Sequence, residues 1–160
     1  MILKTTVMCA CVWLAGAFAF GVEPPASEPM SLAGRIAHLM MREIVAKCDV
    51  GIDLHTGSDR RSNLPQIRCD LEDRRTRELA EAFGAPLVYH ARLRDGSLRH
   101  AAREAGARVL LYEAGEAGRF DEWAITAGVD GVLRVLARLE MIDVEDAPAP
   151  PEGESQVCWR

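Results

Sequence analysis

Leu32, Ile36, Leu39, Met40 and Ile44 recur at helical spacing, which predicts a helix over residues 32–47 with Ser31 as its N-cap. Met40 and Met41 on that helix read as core. The pattern then changes to a short apolar run over 49–54, of strand length, ending in Asp53-Leu54-His55-Thr56-Gly57. Turn formers fill 55–70, which predicts a long loop. A helix over 72–83 stops at Gly84 with Pro86 just beyond. There follow a strand over 86–90, a helix capped by Ser97 and closed by Gly106, and a strand over 108–112. A glycine-containing loop over 116–120 leads into a long amphipathic helix over 120–139. Its apolar face is Ile125, Val129, Val132, Leu133, Leu136 and Leu139, with Phe120 and Trp123 expected to pack it. Gly128 and Gly131 weaken that helix locally and permit close packing. The order α-β-α-β-α-β-α predicts an α/β fold, a sheet covered by helices with working residues at strand ends.

Both termini depart from this pattern. Residues 1–21 form an apolar leader or a misplaced start, 22–30 a linker rich in Pro and Glu, 31–142 the domain, and 143–160 a Pro-rich linker or tail. Lys4, the apolar stretch over 7–20 and Ala17-Phe18-Ala19 match a signal-peptide pattern. The stretch is short for a spanning helix, with an uncleaved anchor as the alternative. A cytoplasmic protein is expected unless residues 1–19 direct export.

Composition changes the picture little. Hydrophobic residues make up 49% and charged residues 27%, as in soluble globular proteins, and the net charge of −5 argues against nucleic acid as a partner. The arginine clusters between Arg60 and Arg108 read as solvated helix faces and loops. The five cysteines are odd in number and scattered without a Cys-x-x-Cys pair, so reduced thiols are expected.

The candidate chemistry sits at two strand ends. His55 follows an aspartate and opens into a loop of turn formers, where an imidazole can offer a ring nitrogen to a metal. About sixty residues on, the strand ending at Tyr112 continues as Glu113-Ala114-Gly115-Glu116. His and Glu at two strand ends, each near glycine, suggest one catalytic edge. Asp53 either supports His55, caps a turn or faces away. Glu116 either supports the loop after Glu113 or is simply solvated. His38, His90 and His100 read as structural or surface residues.

These residues carry a resemblance. Ile52-Asp53-Leu54-His55-Thr56-Gly57, Asn63-Leu64-Pro65-Gln66-Ile67-Arg68, Gly96-Ser97-Leu98-Arg99 and Tyr112-Glu113-Ala114-Gly115-Glu116 resemble, in order and spacing, the succinylglutamate desuccinylase/aspartoacylase family. The resemblance spans residues 31–141. It implies a zinc-carboxypeptidase-like mixed sheet flanked by helices, and hydrolysis of the amide bond of N-acyl amino acids or related small molecules. It also implies Zn2+ as cofactor, held by a His-x-x-Glu pair and a later histidine. His55 matches the later histidine and Glu113 the general base and acid. An arginine grips the substrate carboxylate in such enzymes, and Arg68, Arg99 and Arg103 are the candidates, each with a surface salt bridge as the alternative.

The departures are large. None of the four histidines is followed three residues later by glutamate, so two of the three implied protein ligands are missing from this sequence. The family's Asn-Arg pair has no counterpart in Ala17-Phe18-Ala19-Phe20-Gly21. The expectation is a truncated chain, the second half of a catalytic domain, weakly active or inactive alone. The alternative is a non-catalytic binding module that self-associates through an exposed sheet edge.

Overall fold

In a computed structural model of the chain, the described residues are 10–12, 31–58 and 60–159. The expectations for the leader and the linker up to residue 30 lie outside them, except at Ala10–Val12. The elements are β1 (Ala10–Val12), α1 (Leu32–Glu43), β2 (Val50–Gly57), β3 (Asn63–Cys69), α2 (Arg74–Phe83), β4 (Leu87–His90), α3 (Leu98–Glu104), β5 (Arg108–Glu116), α4 (Glu122–Arg138) and β6 (Gln156–Cys158). One sheet holds the strands in the order β1-β2-β5-β3-β4-β6. β3 runs parallel to β4 and β4 to β6, whereas β3 and β5 are antiparallel. The mixed α/β sheet flanked by helices is therefore the expected fold. Among the described residues no helix is long and apolar enough to cross a membrane.

Two differences from the sequence expectation concern β2, β3 and β6. The stretch over 55–70 is not a loop: β2 continues through His55 to Gly57, and β3 starts at Asn63. Proline inside an interior strand normally argues against strand, because it cannot donate to the ladder. Here the register slips between Asn63 and Gln66, so Leu64 and Pro65 together oppose Ala114. Such a bulge takes a residue out of the ladder and accommodates the proline. The second difference is β6. Gln156 N donates to Pro86 O (2.9 Å) and Ser155 Oγ to Ala85 O (2.7 Å), which docks part of the expected tail alongside β4.

The chain divides into two compact units. One comprises residues up to Ile52 and Leu93–Val109. In it, Ser31 Oγ caps α1 by accepting from Gly34 N (3.1 Å). The α-helix stops at Glu43, four residues early, and Val45–Lys47 forms a 3-10 turn. Ala37 packs on Ala101 of α3, and Val45 on Ala102 and Ala107. Met40, Met41 and Leu98 fill in against both clusters, so the two methionines are core as expected.

The other unit comprises Asp53–Arg92 and Leu110–Arg160. Asp73 caps α2 by accepting from Thr76 N (2.7 Å), and Gly84 closes it in the left-handed conformation that glycine adopts without strain. The buried face of α4 is Ala124, Gly128, Gly131 and Val135, not the larger apolar face expected. Ile125 and Val129 stay 43% and 53% exposed, and Phe120 is 89% exposed rather than packed. Two aromatic rings explain the choice. A Cβ on Gly131 would lie 2.3 Å from the Phe83 ring, and one on Gly128 3.0 Å from Tyr112. The Phe83 and Tyr112 rings pack 5.1 Å apart, and Tyr112 Oη donates to Ala124 O (2.8 Å). Small residues on α4 make room for large ones beneath.

Gly131→Ala therefore has two opposed effects. Helix propensity favours alanine by about 1 kcal/mol. Overpacking against Phe83, which is fully buried, costs about 1–3 kcal/mol and is expected to win. Thermal melts should show a lower Tm; a higher one would mean that α4 does not lie on Phe83. Tyr112 supplies a second test. Burial pushes its phenol up to about 12 from the ordinary 10.0. Between those values the unfolded chain loses this proton and the folded chain keeps it, so stability falls as pH rises from about 10 to 12 and then levels. Denaturant midpoints across that range should show the fall, and Tyr112→Phe should remove its share of it. Equal slopes in both proteins would contradict the burial.

Candidate functional site

Alternate residues of a strand share a face, so Asp53 and His55 of β2 project together. His55 Nε2 stands 3.1 Å from Asp53 Oδ1. The Asp53 side chain is 9% exposed and that of His55 35%. Asp53 Oδ1 is buried without a well-directed hydrogen bond. The Asp53 contact raises the His55 pKa above the ordinary imidazole value. Burial opposes that rise, and the charges of Asp53 and Glu113 add to it. Asp53 thus does support His55, and Glu113 of β5 is near enough to be felt there.

Glu113 is itself held. Asn63 Nδ2 donates to its Oε2 at 2.9 Å, and an Arg68 terminal nitrogen lies 3.4 Å from the same oxygen. Both partners come from β3, whose Gln66 lies opposite Glu113 and whose Asn63 lies opposite Gly115. Arg68 was expected to grip substrate; it sits against the carboxylate, 44% exposed. Arg99 and Arg103 belong to α3, in the unit that contains α1.

The loop between β2 and β3 is fastened at close quarters. Glu116 Oε1 accepts from Arg60 N (3.0 Å), and its other oxygen pairs with Arg119 (3.3 Å). Glu116 is therefore not simply solvated: through Arg119 it supports the loop after Glu113, as expected, and through Arg60 N it also ties down the loop after His55. Gly57 is required there. A Cβ would fall 1.9 Å from Arg61 O and 2.9 Å from Gly115 O, both backbone atoms. His90 Nδ1 accepts from Leu71 N (3.2 Å) and its ring stacks on Trp159 (5.0 Å), while His100 lies near Asp95 and Glu104.

Asn63 is the site residue that sequence reading missed. It stands in Asn63-Leu64-Pro65-Gln66-Ile67-Arg68, but a residue in an expected loop has no defined direction, and only the pairing of β3 with β5 fixes what it faces.

Residues 24–139 match the model of the succinylglutamate desuccinylase/aspartoacylase catalytic domain. The chain belongs to this family. No curated protein matches it significantly. Among solved structures it is similar to the succinylglutamate desuccinylase/aspartoacylase from Rhodobacter sphaeroides, at 24% identity and a TM-score of 0.66 over 79% of this chain and 38% of that one. It is also similar to the ectoine utilization protein EutE (DoeB) from Ruegeria pomeroyi. The apo form is 17% identical, with a TM-score of 0.70 over 82% of this chain and 43% of that one. At these identities the likeness concerns the fold. The chain spans about two fifths of the length of these relatives.

The resemblance implied zinc, and the donor set can be weighed against it. A catalytic zinc takes three protein ligands and keeps a fourth position open. Here one imidazole is at hand with its Nε2 turned toward Asp53, and Glu113 Oε2 is taken by Asn63 and Arg68. Among the described residues no three His, Cys, Asp or Glu side chains are grouped to hold a metal ion. The residues described do not by themselves fit a zinc ion.

Gly57→Ala is expected to cost about 1–3 kcal/mol, since two backbone carbonyls have to move. Amide exchange should also speed up at Arg60 and Arg61 as the loop leaves Glu116. An unchanged Tm and unchanged exchange would show that Gly57 is not wedged against Gly115.

Proposed function

We propose that this chain carries the His55–Glu113 part of a deacylase-type hydrolase site, acting on the amide bond of N-acyl amino acids or related small molecules. One observation carries the reading above all. In a family catalytic domain, β2 and β5 are neighbours whose ends are tied by Ala117 N donating to Gly57 O (3.0 Å), so His55 and Glu113 stand at one end of the sheet. A carboxylate so placed can take the proton of an attacking water and return it to the leaving amine. His55 is the ligand this chain offers to a zinc ion, and Asp53 sets the direction of its ring. EutE from Ruegeria pomeroyi, similar in fold, has been seen with product bound, which supports a small-molecule substrate.

With a single imidazole the chain is expected to hold zinc weakly and to turn over little substrate on its own. Metal content after purification, measured beside hydrolysis of N-acetyl and N-succinyl amino acids, tests this. Substoichiometric zinc and near-background turnover are expected. Any rate that added zinc gives should fall to background in Glu113→Gln. Stoichiometric zinc and full activity, both unchanged in His55→Ala, would overturn the assignment of the two residues.

A further inference from the structure

A carboxylate has two equivalent oxygens and a terminal torsion that is broad and two-fold, so a free glutamate does not favour one oxygen for proton transfer. Glu113 is not free in this sense. Asn63 Nδ2, at 2.9 Å, and Arg68, at 3.4 Å, converge on Oε2 alone. Among the described residues no hydrogen bond or ion pair reaches Oε1. The Glu113 side chain is 15% exposed, so what remains open is narrow.

We infer that Asn63 and Arg68 are positioning residues that occupy Glu113 Oε2 and leave Oε1 as the oxygen that moves the proton. The inference rests on the reading of Glu113 as the proton-transfer group. In that role Oε1 takes a proton from the attacking water as the new C–O bond forms. The same proton passes to the amine nitrogen as the C–N bond breaks, and the carboxylate is restored. Neither donor exchanges a proton; both hold the carboxylate plane so that Oε1 stays presented.

The identity of residue 63 fits this role. Its amide donates a hydrogen bond without bringing a charge, so Arg68 remains the one cation on Oε2 among the described residues. The register fits as well. An unbroken ladder would set Asn63 opposite Glu116, and the extra residue in β3 sets it opposite Gly115 instead, within reach of Glu113.

The test is nuclear magnetic resonance of the Asn63 side-chain amide in the full chain, joined to kinetics with added zinc. One Nδ2 proton should resonate downfield of ordinary asparagine amides in the wild type and return to the ordinary position in Glu113→Ala. In zinc-supplemented assays Asn63→Leu should lower kcat by about 10–100-fold with little change in KM, while its Tm and backbone amide spectrum stay those of the wild type, which separates the loss from partial unfolding. An Asn63 amide that is the same with and without the Glu113 carboxylate would overturn the inference, as would an unchanged kcat in Asn63→Leu. A coupled amide in a protein that hydrolyses nothing even with zinc retains the pair and counts instead against the hydrolase reading.

Discussion

The antiparallel pairing of β3 with β5, with one more residue on the β3 side, is the constraint on which the site depends. A slip of one residue in a regular ladder turns every later side chain to the other face. Here Leu64 and Pro65 together face Ala114, and the slip is confined to the start of β3. Below it, Ile67 and Cys69 keep their places in the core. Above it, Asn63 reaches Glu113 rather than standing opposite Glu116. Glu116 is then left to hold the loop after His55 through Arg60 N. One local irregularity thus separates two neighbouring glutamates into two jobs.

The same economy governs the sites of close approach. Gly57 leaves no room for a side chain between Arg61 O and Gly115 O, which keeps the ends of β2 and β5 tight where His55 and Glu113 project. In α4, Gly128 and Gly131 admit the Tyr112 and Phe83 rings beneath the helix. Tyr112 immediately precedes Glu113 and is anchored through its hydroxyl to Ala124 O. The packing of α4 therefore fixes the strand that carries the carboxylate. Charge completes the arrangement: Asp53 and Glu113 both add negative charge near His55, and Arg68 offsets part of it on Glu113.

Much of the fold was legible in the chain. Ser31, Ser97, Gly84 and Gly106 announced helix ends, and the apolar runs announced β2, β4 and β5. His55 and Glu113 were legible as residue types beside glycine, and the quoted motifs led to the right family. What was not legible has physical causes. Pro65 masked β3, because its strand character depends on a bulge formed with a partner some fifty residues away. The polar, Pro-rich tail hid β6, which is held by hydrogen bonds from Gln156 and Ser155 to the Ala85-Pro86 backbone. The face of α4 was not legible because hydrophobic size along the helix does not reveal the need for small residues over Phe83. The shortage of zinc donors was visible from the start, as the absence of any His-x-x-Glu from this sequence.

Cross-strand proton contacts between β3 and β5, read by nuclear Overhauser spectroscopy, test the central claim most directly. The slipped register predicts contacts of Gln66 with Glu113 and, in the same protein, of Asn63 with Gly115. Contacts of Asn63 with Glu116 would mean an unbroken ladder, and would contradict the geometry that brings Asn63 to the Glu113 carboxylate.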